Sequence, residues 1–130
     1  MKFEEFLGQV QHRARLGSMQ EAVRATRATL ETLSERLFRG EKDNLAAQLP
    51  QEIGVLIRDI EESEKFDLNE FFQRVGTREQ VDLPVAVHHA RVVAEVLREA
   101  VDAGAFQKLE AHLPPEFQPL FSGASGRMRS

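Results

Sequence analysis

No cysteine occurs among the 130 residues of this chain, and neither tyrosine nor tryptophan does. Without cysteine there are no disulfides, thiolate metal sites or thiol nucleophiles, and the composition suits a reducing cytoplasm. The aromatic residues are nine phenylalanines, core material without the polar handle that suits tyrosine and tryptophan to binding surfaces. No apolar run approaches the roughly 18 residues a membrane helix needs. The opening Met-Lys-Phe-Glu-Glu-Phe carries acids where a signal peptide has a basic segment. Export and membrane spanning are therefore not expected. Charge of one sign does not dominate either, since 17 basic residues stand against 21 acidic ones. Divided after Lys65, the chain has 10 against 12 and then 7 against 9, so neither part offers a basic pole for a phosphate backbone. Nucleic acid is not expected as a partner. A Gly-rich phosphate loop, a Gly-x-Ser-x-Gly elbow and a dinucleotide fingerprint are also missing.

What the chain has is helical periodicity. Phe3, Phe6, Leu7, Val10 and Ala14 fall on one face of a short amphipathic helix that Gly17 interrupts. Ser18-Met-Gln-Glu21 has the form of a capping box, whose hydroxyl and carboxylate satisfy backbone N–H groups at a helix start. A long helix is predicted from there to about Phe38, with Met19, Val23, Thr26, Leu30, Leu33 and Leu37 as its buried line. Gly40 is expected to end it. A short helix over Asp43–Leu49 follows, and Pro50 opens another carrying Ile53, Leu56, Ile57 and Ile60.

The order then repeats. Glu5, Phe6, Val10 and Arg13 correspond to Glu70, Phe71, Val75 and Arg78 at an offset of 65, and the offset becomes 64 from Ser18 and Asp82 onward. Over Ser18–Ile57 against Asp82–Phe121, 13 aligned pairs are identical, where unrelated helices of this composition match at about one position in ten. Gly40–Pro50 and Gly104–Pro114 share the pattern Gly-x4-Leu-x3-Leu-Pro. These matches imply two similar helical halves, and a pair packed about a pseudo-twofold axis buries both apolar faces more economically than a two-unit solenoid. The expected fold is a single compact all-α domain of six to eight helices over residues 1–121. Its first half is 1–58, an acidic connector occupies 59–65, and the second half is 66–121. A flexible tail, 122–130, completes the chain.

The second long helix carries an extra apolar stripe of Val85, His89, Val92, Val96 and Ala100, and on that count is expected to be the more buried of the two. The matching stripe of the first is Glu21, Ala25, Ala28, Thr32 and Arg36. The valine stripe either packs on the small-residue stripe or, if exposed, forms a partner surface. The run Ala25–Leu37, the motif Leu45-Ala-Ala-Gln-Leu-Pro50, Phe71-x2-Arg74-Val75 and Leu113-Pro-x-Glu-Phe117-x2-Leu-Phe121 together resemble the prokaryotic family called domain of unknown function 2267 over about Phe3–Phe121. That resemblance implies a small helical cytoplasmic protein and supplies no catalytic residues.

Candidate chemistry is sparse. His88 and His89 are adjacent on a helix and point about 100° apart, a poor arrangement for sharing one ion, so no metal or cofactor is expected. His112 fills the position held by Gln48 in the first half, which suggests an amide-like structural role. Glu31, Glu35, Glu95 and Glu99 alternate with arginines in the manner of a solvated helix face. No catalytic residue is assigned. The sequence favours a non-enzymatic interaction module meeting a protein partner or a second copy through Val85, His88, His89, Val92 and Val96. The other reading is a small-molecule pocket between the halves lined by Phe6, Phe71, Phe72 and His89.

Overall fold

A computed structural model of the chain describes residues 1–59 and 64–122. Ile60, most of the acidic connector and the tail 123–130 lie outside the described residues. Seven α-helices and one 3₁₀ helix follow in order, with no strand among the described residues: α1 Phe3–Ala14, α2 Met19–Ser34, α3 Arg39–Ala47, α4 Gln51–Arg58, α5 Leu68–Glu79, α6 Leu83–Ala100, α7 Ala103–His112 and the 3₁₀ helix Pro115–Phe121. The all-α fold is the one the periodicity implies.

Local chemistry sets the boundaries, and not always where the glycines suggest. The Ser18 hydroxyl accepts from the Glu21 N–H at 3.2 Å, while the Glu21 carboxylate accepts from Gly17 N–H at 3.2 Å. Helices α1 and α5 end not on glycine but on Arg15 and Gln80, at φ 58° and 65°. In each, the following residue donates back to the helix, Leu16 to Gln11 O at 2.9 Å and Val81 to Gly76 O at 3.0 Å. Gly40 and Gly104, expected to end the long helices, instead lie in the first turns of α3 and α7. Helix α2 ends earlier, at Ser34, where the chain tightens through Arg36 N–H to Leu33 O and Leu37 N–H to Ser34 O. The Ser34 hydroxyl donates to Ile57 O at 2.7 Å, tying this corner to α4. Helix α3 can then start at Arg39, because the Glu41 carboxylate accepts from Phe38 N–H at 2.9 Å. At the start of α7, Asp102 serves as the cap and accepts from Ala105 N–H at 2.8 Å.

Helices α2 and α6 form the centre and pack on each other; α1 lies on both of them, and so does α5. Phe6 and Phe71 are fully enclosed and Phe117 nearly so, with Phe71 edge-on to Phe117 at 5.9 Å between centroids. The valine stripe is mostly interior: Val92 and Val96 have no exposed surface, and on α2 Ala25, Ala28 and Thr32 are equally enclosed. The expectation that the second long helix is the more buried fails. Nine of the 16 residues of α2 are buried against eight of the 18 of α6, because α6 begins with exposed Leu83, Pro84 and Val85. Met19, assigned to the buried line of α2, is 42% exposed at its first turn.

Acids assigned to a solvated face are used across the molecule. Arg13 of α1 reaches Glu95 at 3.0 Å and Glu99 at 2.7 Å on α6. Arg78 of α5 reaches Glu35, the residue closing α2, at 2.6 Å and the Thr32 hydroxyl at 2.7 Å. The two clamps tie α1 to α6 and α5 to the end of α2. Burial alone would push the Glu35 carboxyl up, but hydrogen bonds from Arg78 and then Arg74 outweigh it and hold Glu35 below the usual carboxylate range.

Candidate functional site

Three of the five residues expected to form a partner surface are interior. Val92 and Val96 are fully buried and His89 is 7% exposed, because α6 runs through the middle of the fold, and they cannot meet a partner while the protein stays folded. Val85 and His88 remain at the surface. Burial holds the His88 imidazole below its usual pKa, and the neighbouring His89, Arg91 and Arg15 add to the effect. The four residues expected to line a pocket, Phe6, Phe71, Phe72 and His89, belong to the packed interior.

His89 has a partner that helical spacing does not reveal. Its Nδ1 lies 2.5 Å from Glu79 Oε2. Glu79 is the last residue of α5 and is 3% exposed. Its second oxygen, Oε1, is buried without a partner among the described residues. Histidine and carboxylate thus pin the end of α5 to α6. No group of three or more His, Asp or Glu side chains suited to a metal ion occurs among the described residues.

A cleft opens where the corner between α2 and α3 meets the corner between α7 and the 3₁₀ helix. Its volume is about 640 Å³, and its walls include Arg36, Phe38, Lys65, His112, Pro114 and Pro115. Phe38 is 59% exposed at the rim, the largest exposure of any big apolar side chain described. The His112 ring stands edge-on to it at 5.0 Å. His112 Nε2 donates to the Arg36 carbonyl at 3.0 Å, and Nδ1 lies 2.9 Å from Glu41 Oε2. Gln48 acts likewise in the other direction, its Oε1 accepting from Asp102 N–H at 2.7 Å. His112 thus holds the backbone just beyond α2, and Gln48 the backbone just beyond α6.

Arg36 is the unusual member. Its side chain leaves the α2 corner inward and the residue is only 7% exposed. Nε donates to Phe66 O at 3.0 Å, and the guanidinium carbon lies 5.6 Å from the Phe66 ring centroid and 5.1 Å from that of Phe117. No carboxylate among the described residues lies within ion-pair distance of it. Burial lowers its pKa from the ordinary arginine value, with the charge of Glu116 pulling the other way. The nearby acid Glu64 is engaged elsewhere, at 3.0 Å from Arg74, a cation held above its usual pKa by the hydrogen bonds it donates to Glu64 and Glu70. Sequence reasoning placed Arg36 at the end of a stripe of small residues. An arginine at a position whose neighbours one and two turns back are buried was the signal that something other than solvent faces it.

A family model described as an uncharacterized conserved protein, DUF2267, matches residues 3–120. The chain belongs to the DUF2267 family. No curated protein matches it. The matched span includes every helix from α1 to α7 and nearly all of the 3₁₀ helix. The cleft of this DUF2267 protein therefore lies wholly within the family's common region.

Proposed function

We propose that this protein is a non-enzymatic binding protein whose site is the cleft between the two halves, with a small molecule as its ligand. The observation that carries the reading is Arg36, a guanidinium more than nine-tenths buried, without a carboxylate partner among the described residues, on the wall of a cavity large enough for a drug-sized molecule. Desolvating such a cation costs several kcal/mol, which its hydrogen bond to Phe66 O and its two ring contacts offset without neutralising the charge, and an anionic group of a ligand supplies that neutralisation. The non-enzymatic part rests on the two His–carboxylate pairs: Glu79–His89 is shut inside the α5–α6 contact, and His112, which faces Glu41 at the cleft, spends its other ring nitrogen on the Arg36 carbonyl.

A protein-interaction module is less well supported. Of the surface that suggested it, only Val85 and His88 are exposed, Val85 at 40%, with Leu83 beside them at 40%. That is far short of the roughly 800 Å² per partner of a standard interface. The reciprocal clamps of Arg13 and Arg78 support an origin of the two halves by duplication about a pseudo-twofold, and the cysteine-free composition supports a cytoplasmic location. No described helix is long and apolar enough to cross a membrane.

Amide NMR with a library of small aromatic fragments tests the reading. Binders are expected to shift the amides of Phe38, Lys65 and His112 together. Fragment binding that leaves those amides unmoved, or no binding from a broad library, removes it.

A further inference from the structure

Resting on the reading of the cleft as a ligand site, we propose that its ligand is an anion: a molecule with a carboxylate or phosphate group held by Arg36 and Lys65, and an apolar body laid against Phe38, Pro114 and Pro115. The cleft's charges support this. The fork of Arg36 has spent one donor on the Phe66 carbonyl, and the rings of Phe66 and Phe117 offer its charge only diffuse compensation. A planar guanidinium with donors to spare is the side chain best shaped to take two oxygens of one carboxylate or phosphate. Lys65, on the same wall, forms no ion pair among the described residues.

Among the described residues, the acids that could have neutralised Arg36 are committed elsewhere. Glu35 and Glu64 are bound by Arg74. Glu41 accepts from Phe38 N–H and faces His112 Nδ1. Glu116 acts on Arg36 only through space. His112 is a positioning residue, since both of its ring nitrogens are occupied by Arg36 O and Glu41. It holds the backbone that carries Arg36 and backs the exposed Phe38 ring. A cationic or neutral ligand leaves the Arg36 charge uncompensated, whereas an anion completes it. Glu64 lines the cleft and opposes an anion, but its charge is directed at Arg74.

Isothermal titration of the full chain with phenyl phosphate, benzoate, benzyl alcohol and benzylamine, at one fixed ionic strength, tests the proposal. The two anions are expected to bind about tenfold or more tighter than benzyl alcohol, the selectivity one charge-assisted contact supplies. Their ratio tells phosphate from carboxylate. In Arg36→Met the preference disappears while benzyl alcohol binding persists. Lys65→Gln, an exposed change without effect on folding, narrows the same preference and serves if Arg36→Met does not fold. Benzyl alcohol or benzylamine binding as tightly as the anions overturns the anionic ligand and leaves the cleft reading standing. Binding of none of the four overturns both.

Discussion

Arg36→Met separates a cation kept for a ligand from one kept for the fold. Methionine preserves an unbranched stem of similar length and removes the charge. The substitution loses the hydrogen bond to Phe66 O at 3.0 Å, worth about 1.5–3 kcal/mol for a charged donor. It also loses two ring contacts, at 5.6 and 5.1 Å, worth about 0.5–2 kcal/mol each. Against these stands the desolvation of an arginine only 7% exposed, several kcal/mol by itself. Gain and loss are of one size, so the ligand-free variant is expected within about 1 kcal/mol of the parent. Urea unfolding followed by circular dichroism, with an unchanged dependence on denaturant, measures this. A loss of about 3 kcal/mol or more, the range for breaking a satisfied buried ion pair, refutes the reasoning by showing that the fold itself satisfies Arg36.

Other expectations follow from the packing and the clamps. Glu35→Gln weakens its bonds to Arg74 and Arg78 and is expected to cost about 1–3 kcal/mol at neutral pH. Because the folded state holds Glu35 below the ordinary glutamate value of about 4.3, this contribution is present above that pH and lost as pH falls through the lowered value. The acid limb of a stability–pH curve should therefore be shallower in the variant, and an unchanged limb contradicts the clamp. Val96→Asp sets a charge where there is no exposed surface and should leave the protein unfolded or destabilised by more than about 4 kcal/mol in a thermal melt; a near-native melting temperature would mean that α6 is not central. Gly76→Ala brings a methyl to 3.1 Å from Val81 O and 3.4 Å from Ala86 Cβ and should cost about 1–3 kcal/mol. Gly8→Ala, with nothing within 4 Å, should stabilise α1 by about 0.5–1 kcal/mol, and the opposite order of the two melting temperatures would refute this account of the glycines.

The fold class was legible because burial imposes a period. Phe6, Val10, Leu30 and Leu33, chosen for helical spacing, are all interior. The joints were misread where a residue type serves two purposes. Gly40 and Gly104 suit a helix end and a helix start equally, and only the Glu41 and Asp102 caps decide between them. Arg15 and Gln80 take the left-handed conformation glycine would favour, and nothing in their identity announces it. The site was less legible than the fold. A stripe of valines looks the same whether it meets solvent or another helix, and α2 supplies the cover for Val92 and Val96. The cleft joins Arg36, Lys65 and His112, side chains brought together by tertiary packing. Helical spacing placed Arg36 only at the end of a stripe of small residues and did not mark it as a site.

The central claim is that Arg36 waits for a ligand at the cleft. Titration of the ¹⁵N-labelled protein with phenyl phosphate, read at the Arg36 side-chain Nε–H, tests it most directly. The expected result is a saturable shift of that resonance together with the amides of Phe38 and His112, while the buried His89 ring stays unmoved. Saturable binding that moves Leu83 and Val85 instead, with Arg36 silent, would contradict it.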